Sequence, residues 1–559
     1  MPARTGILVA SVLAGVAILL PPAVTARLLA GAESPLLASL TTGFWVWKLL
    51  LFGHASALWF AARDRAHSAG RAPALADSTS DTRASRVTFL IVFAIAGIAL
   101  ALRLVGLGDG LWFDEIKMQV RYIAHPLGVI LTTYDDQNQH LLYSACAKLS
   151  VLVFGEGAWA LRFPAVVFGV ASIWAVYYFG VRLTSRSEAV LAAGLLAVSY
   201  HHVWFSQNAR GYTGLLLWTL VSSALFLDLL RNRDARRWAL SGAYGLAIAL
   251  ALYTHLTAAV LPVSHLAVAG WMLWGPARTV QRRPAPAPLI AGLALAGTLS
   301  LQAYAPVLPQ VAAVVLEPSL AGVTIAWKHP LWMLGEMLRG LSDGVPGGSL
   351  ALILAFGVGA VGLADYLRRS SSATLTMLLP LVVTAVAITT LGHNLWPRFF
   401  FFGAGFAVLI GLRGLGAITG RFAGAGAPRI TAGLAVLASI ASLTTVPSAW
   451  GPKQDYDGAE AYIDGHAGPD DAIVAADMMV VPFDEYKMRG WDTIPAAASL
   501  EALESLESEH DRTWLIYSFP TSLAALHPDV WDRVRSKYRL AAEFGGTVRG
   551  GNIFVMVRP

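Results

Sequence analysis

The chain has 559 residues, 56% of them apolar and 14% charged, with a formal net charge of +6 and a mean hydropathy of +0.58. Soluble domains run about 45–50% apolar and about 25% charged, so this composition excludes a disordered chain and argues against a soluble enzyme. The basic balance, with a pI near 9.4, does not point to nucleic acid, because the arginines fall in short clusters between apolar runs, as expected of the inner loops of a membrane protein.

A bilayer core takes about 20 apolar residues per helix. Runs of that kind lie near 5–30, 37–62, 87–108, 160–182, 189–206, 211–230, 238–256, 257–275, 288–306, 349–367, 373–392, 399–416 and 430–447, which predicts about thirteen transmembrane helices. The first run carries Val24-Thr25-Ala26, a small-residue pattern like a cleavage site, but its apolar stretch is longer than a signal core and is read as a retained helix. The run at 141–155 is too short to cross and is read as an interfacial or partly embedded helix. It holds Cys146, the one cysteine of the chain, which excludes an internal disulfide framework and a cysteine metal knuckle.

With the amino terminus cytoplasmic, the inner loops carry Arg4, Arg63, Arg65, Arg71, Arg83, Arg86, Arg182, Arg186, Arg231, Arg233, Arg236, Arg237, Arg278, Arg282, Arg283, Arg368, Arg369, Arg413, Arg421 and Arg429. The outer loops before residue 448 carry only Lys117, Arg121, Lys148, Arg210, Lys328, Arg339 and Arg398. That asymmetry predicts a multi-pass protein of the cytoplasmic (inner) membrane with its carboxyl end outside. Three regions follow: 1–86, two extra helices and a cytoplasmic linker; 87–447, the transmembrane core with an extracytoplasmic loop at 109–159; and 448–559, an extracytoplasmic domain.

The composition turns acidic from about 448. Helical patterns at 456–466, 497–510 and 526–537 and strand-like runs at 472–476, 513–518, 539–543 and 552–557 predict a small α/β domain. No internal repeat is apparent, which weighs against the inverted-repeat transporter plans.

The outer loop opens with Asp109-Gly110-Leu111-Trp112-Phe113-Asp114-Glu115 and continues to Tyr134-Asp135-Asp136-Gln137-Asn138-Gln139-His140. Adjacent acids facing water are most often simply solvated. Here Trp112 and Phe113 anchor the first pair at the interface and a second polar cluster follows, so a carboxylate at this surface can serve as general base toward a presented hydroxyl. Three outer turns bring positive charge: His201 to Tyr212 with Arg210, Tyr253-Thr254-His255, and His393 to Arg398. Arginines at helix ends commonly snorkel to headgroups. Arg210 and Arg398 fall on the face where topology disfavours arginine, and a bound phosphate would account for them. No two of these histidines have the spacing of a zinc motif.

Taken together, Asp114-Glu115, Asn138-Gln139-His140-Leu141-Leu142-Tyr143, Ala160-Leu161-Arg162-Phe163-Pro164-Ala165, Trp204 to Tyr212, Tyr253-Thr254-His255 and Pro397-Arg398-Phe399 resemble the GT-C glycosyltransferases, in the branch of the protein O-mannosyltransferases and the lipid A aminoarabinose transferase. The resemblance runs from about 87 to the carboxyl end. It implies a GT-C type α-helical polytopic fold and an inverting transferase that takes its sugar from a polyprenyl phosphate. It further implies Asp114 as base with Glu115 in support, Arg210 and Arg398 on the donor phosphate with Tyr212 and Lys117 beside them, and Asp135, Asp136, Asn138 and His140 toward acceptor or sugar. No cofactor is required; a divalent metal stays open, with His255 and Glu115 as its candidates. The expected partners are the lipid-linked donor, a glycan, lipid or protein acceptor and membrane lipids, with no nucleic acid. The alternatives are a lipid-linked glycan flippase and a protein O-glycosyltransferase of the same family.

Overall fold

The computed structural model describes residues 3–68, 82–231, 236–274, 286–317, 328–485 and 499–559. The predicted linker between 69 and 81 and the loop arginines Arg71, Arg233, Arg278, Arg282 and Arg283 lie outside the described residues. Among the described residues nine helices are long and apolar enough to cross a bilayer, or up to eleven with two bent pairs.

Both bent pairs correct a predicted continuous span. The run at 5–30 is two helices, Ala3–Leu19 and Pro22–Ala30, bent by 88°. Pro21 and Pro22 cause this break, because neither ring nitrogen can donate to the helical ladder and each proline disfavours helix at the residue before it. The run at 189–206 is Arg186–Ala197 and Tyr200–Ser206, bent by 61°. No proline stands there. Instead the Arg103 guanidinium, fully buried, donates to the freed Ala197 carbonyl at 3.0 Å, a group that a helix end leaves open, and to Ser206 Oγ at 3.1 Å.

Other spans follow the apolar runs with shifted ends. The predicted 288–306 span extends to Pro286–Leu316, and the helix at Arg236–Thr254 is absent from the nine. Two predicted spans merge into Pro397–Leu443, 47 residues, which as one straight helix would rise about 70 Å, twice the hydrocarbon core. The Thr419 and Thr431 hydroxyls meet at 2.6 Å, which a straight helix forbids, so Ala404–Ala423 and Ala427–Leu443 form a hairpin. An amphipathic helix at Pro330–Asp343 was not predicted; its apolar positions recur at helical spacing without forming a long run.

The last hundred residues hold a four-stranded sheet ordered β1-β2-β4-β3, from β1 (Ala472–Ala475), β2 (Thr513–Ser518), β3 (Arg539–Phe544) and β4 (Ile553–Arg558). β1 and β2 are parallel, with Val474 opposite Leu515; β4 runs antiparallel to both β2 and β3, with Met556 opposite Leu515 and Leu540. All four strands fall on the predicted runs, as do helices Tyr456–His466, Leu500–Glu509 and Pro528–Lys537, while Pro520–Leu526 is additional. One sheet face packs on Leu523, Val530 and Val534. The other joins Trp514, Ile516 and Val555 to Ile116, Met118 and Ile123 of the 109–159 loop in one apolar cluster. That shared core seats the sheet directly on the loop that carries Asp114.

Charged pairs also join helices of the bundle away from this loop. Arg182 binds Asp228 at 2.7 Å, and Arg413 joins Glu188 at 3.2 Å to Asp365 at 2.5 Å. Helix Ala158–Gly180 has Arg162 near its start and Arg182 just past its end; its 23 residues rise about 34 Å. The Arg162 end and the Arg182 end are therefore opposite faces of the bundle.

Candidate active site

Asp114 and Glu115 lie in a single helical turn and a half, Phe113–Met118. A helix start exposes four N–H groups, and this one is capped from two directions. Glu115 Oε2 accepts from the Trp112 N–H at 3.4 Å, and Gln454 Oε1 accepts from the Phe113 N–H at 3.0 Å. The Trp112 indole donates to Asn208 Oδ1 at 3.3 Å, tying this turn to the segment that ends in Arg210.

The two acids have different surroundings. Glu115 is fully buried; its oxygens accept from Arg162 Nε at 2.9 Å, Arg162 Nη2 at 2.6 Å and the Ala209 N–H at 2.7 Å. Burial pushes its pKa up, but Arg162 and Lys453 outweigh that and hold it below the usual carboxylate value. Arg162 also donates to the carbonyls of Leu107, Asp109 and Gly110, so this ion pair fixes the backbone leading into the Asp114 turn.

Asp114 instead faces the outer turns. Its Oδ2 lies 3.2 Å from Arg210 Nη1 and 3.0 Å from Arg398 Nη1, and its carbonyl accepts from Asn138 Nδ2 at 3.2 Å. Arg210 also donates to Asn138 Oδ1. Three distant segments thus meet at one carboxylate.

Beside them an aromatic cluster gathers hydrogen-bond donors. His140 and His255 rings are 4.4 Å apart, with Tyr212 at 5.6 Å and 5.3 Å from them respectively. His255 Nδ1 accepts from the Thr257 N–H at 3.2 Å, which places the ring proton on Nε2, and that atom has no protein partner. The Tyr212 hydroxyl, Arg210 Nε and Arg398 Nε are likewise buried without a protein partner. His140 Nδ1 accepts from the Gly211 N–H at 2.8 Å. Burial, with Arg210, His255 and Arg398 nearby, drives the His140 pKa well below its usual value, so the neutral ring carries its proton on Nε2, 3.3 Å from Arg210 Nη2. Two donors facing each other are satisfied by a shared acceptor. Buried polar groups normally find partners, and this collection of donors around two arginines is what an oxyanion would satisfy.

The second acidic cluster is internally paired. Lys117 Nζ meets Asp136 Oδ2 at 2.5 Å, and the Asn138 N–H donates to Asp136 Oδ1 at 2.7 Å. Burial raises the Asp136 pKa, and Lys117 and the Asn138 N–H more than reverse it. Tyr122 donates to Asp135 at 2.6 Å. Lys117 therefore contacts the second cluster; its one ion pair among the described residues is with Asp136.

Glu115 and His255 do not make a metal pair. The Glu115 oxygens are occupied by four donors, two from Arg162 and the N–H groups of Ala209 and Trp112, which leaves a cation no lone pair to bind. Among the described residues no three His, Cys, Asp or Glu side chains are grouped to hold an ion.

Residues 138–306 match the family model of dolichyl-phosphate-mannose-protein mannosyltransferase. No curated protein matches the chain. Among solved structures the chain is similar to the oligosaccharyltransferase of Archaeoglobus fulgidus, at 13% identity over 82% of this chain and 73% of that one, TM-score 0.49. It is also similar to ArnT from Cupriavidus metallidurans bound to undecaprenyl phosphate, at 13% identity over 85% and 98%, TM-score 0.48. A third is the arabinosyltransferase EmbB from Mycobacterium smegmatis, at 14% identity over 71% and 41%, TM-score 0.41. The family match holds Asn138, His140, Arg210, Tyr212 and His255, whereas Asp114 and Arg398 lie on either side of it.

Lys453 and Gln454 are site residues that the motifs do not contain, with no signal beyond the change of composition near them, whereas Arg162 stands inside the Ala160–Ala165 motif without an assigned role.

Proposed function

We propose that this protein is a membrane glycosyltransferase that moves a sugar from a polyprenyl-phosphate donor to an acceptor hydroxyl, with inversion at the anomeric carbon. The observation that carries this reading is the Asp114 carboxylate set between Arg210 and Arg398 at 3.2 Å and 3.0 Å, beside buried donors that have no protein partner. The match of residues 138–306 to a lipid-phosphate-sugar-dependent transferase family supports it.

Phosphate is a good leaving group, so the protein's task is to position the acceptor, take its proton and stabilise the departing charge. A donor phosphate competes with Asp114 for the two guanidiniums, whose planar forks match phosphate oxygens. Tyr212 and the His255 Nε2–H supply further hydrogen bonds to it. As the arginines turn to the phosphate, Asp114 is released to accept the hydroxyl proton. The acceptor oxygen then bonds the anomeric carbon from the side opposite the phosphate, and the electrons of the breaking C–O bond leave with the phosphate. Glu115 positions this turn through Arg162, and Asn138 links the base to Arg210. The arginine distribution supports an extracytoplasmic site in the inner membrane.

The test is transfer from a labelled polyprenyl-phosphate sugar by the protein in proteoliposomes, with envelope glycan, lipid and peptide acceptors supplied in turn. A covalent product that Asp114→Asn abolishes is the expected result. Movement of the lipid-linked sugar across the bilayer without a new bond would establish a flippase instead.

A further inference from the structure

Gln454 stands at the junction between the core and the sheet and is 2% exposed. Its amide is fully committed. Nε2 donates to Ser518 Oγ at 3.2 Å and to the Gly551 carbonyl at 3.2 Å; Oε1 accepts from the Phe113 N–H at 3.0 Å and the Tyr456 hydroxyl at 3.3 Å. A glutamine side chain has two N–H donors and an oxygen with two lone pairs, so every valence is used and the amide has one orientation. The backbone beside it is equally held. The carbonyls of Pro452 and Lys453 accept from the Thr547 and Val548 N–H groups at 2.9 Å and 3.0 Å, and the Lys453 ammonium donates to the Gln207 carbonyl at 2.6 Å.

The position of the Phe113 contact matters. Phe113 is the first residue of the turn whose second residue is Asp114. The Phe113 N–H is one of the donors a helix start leaves open, and within that turn Glu115 is engaged with Trp112 and Arg162. Gln454 is the partner that fixes the entrance of this turn from the carboxyl-terminal side of the chain. The arginines on Asp114 come from other segments, one after helix Tyr200–Ser206 and one at Pro397–Gly403, neither of which Gln454 contacts by a hydrogen bond.

We propose that Gln454 is a positioning residue for Asp114, and that the sheet region takes part in turnover by holding the base against the phosphate pocket. This rests on the reading of Asp114 as general base. Losing the cap lets the Asp114 turn shift while Arg210 keeps Asn138 and His255 keeps Thr257. The base step slows and donor binding stays.

The experiment uses the full-length protein in nanodiscs, with transfer kinetics, binding of undecaprenyl phosphate as the probe, and amide hydrogen exchange of the 109–118 segment. Gln454→Ala is expected to lower kcat about ten- to a hundredfold, the scale of an ångström-level misplacement, with donor KM not raised, probe affinity not weakened and faster exchange at Phe113. Gln454→Glu keeps an oxygen for the Phe113 N–H and is expected to recover part of kcat. If Gln454→Ala fails to fold, the comparison of Gln454→Glu with wild type, kcat reduced at constant KM, carries the test. Equal losses in kcat and probe affinity, or unchanged kcat, overturn the proposal. Asp114→Asn is run alongside: if it turns over normally, the base reading itself fails, whereas an inert Asp114→Asn with a fully active Gln454→Ala removes only the role of Gln454.

Discussion

Arg398 Nη1 donates to Asp114 Oδ2 at 3.0 Å across 284 positions of sequence. The pair joins the first long loop to the start of the last helical hairpin, and on the proposed function it is the contact that a donor phosphate opens. Arg398 is the more exposed of the two arginines on Asp114, its side chain 31% accessible against 3% for Arg210, so it is the one free to swing. Arg398→Ala is expected to weaken undecaprenyl phosphate binding about ten- to a hundredfold, the worth of one charge-assisted hydrogen bond of about 1.5–3 kcal/mol. Acceptor KM should be unaffected; equal losses for donor and acceptor would take Arg398 out of the phosphate role.

The Glu115–Arg162 pair is buried on both sides, with side-chain exposures of 0% and 4%. Removing one partner leaves an uncompensated buried charge, which costs about 3–5 kcal/mol. Arg162→Ala is therefore expected to lower the thermal midpoint of the solubilised protein sharply. The double variant Glu115→Gln with Arg162→Leu should recover a large part of that loss, because an uncharged pair leaves no buried charge behind. Additive losses in a double-mutant cycle would contradict this pairing.

Gly211 has no room for a side chain: a Cβ there would lie 2.8 Å from His140 Nδ1 and 2.8 Å from the Thr254 carbonyl oxygen. A backbone oxygen cannot yield as a flexible side chain does. Gly211→Ala is expected to destabilise the protein by about 1–3 kcal/mol and to raise donor KM by displacing His140 and Arg210. Thermal melts and transfer kinetics check both, and a silent substitution would show that the 211–212 turn is looser than its contacts indicate.

Lys453 supplies a pH dependence. Burial, reinforced by Arg162, lowers its pKa from 10.5 to about 7 against the pull of Glu115 and Asp109. Between those values the unfolded chain binds a proton that the folded chain does not, so the stability linked to this group rises with pH from about 7 toward 10.5. The thermal midpoint should climb between about pH 7 and about pH 9, and Lys453→Met should flatten that climb. An identical slope in the variant would assign the effect elsewhere.

Much of this was legible in the sequence, and the residues say why. Asp114, Arg210 and Arg398 stood out because charge on an apolar chain is conspicuous, and the four strands because their apolar runs are bounded by turns. The role of Glu115 was not legible, since an acid beside the base looks like a second functional group until Arg162 is found on it. The break at Ala197 was hidden too, because it has no local proline and its freed carbonyl is met by a guanidinium from another helix. The amphipathic helix Pro330–Asp343 escaped a search for long apolar runs, as its burial needs only one stripe. Gln454 is the hardest case: nothing about an uncharged amide in a polar segment announces that it caps a turn 341 positions earlier.

The wide separation of Asp114, Arg210, Arg398 and Gln454 along the chain bears on how the protein is made. Asp114 is synthesised early, yet its arginine at 398 arrives after most of the spans, and its cap at 454 later still. A ribosome-bound or truncated chain lacking those segments has Arg210 on Asp114 but neither Arg398 nor the Gln454 cap. On the proposed reading, catalysis needs the segments that carry Arg398 and Gln454, so a chain that stops before them cannot complete the site.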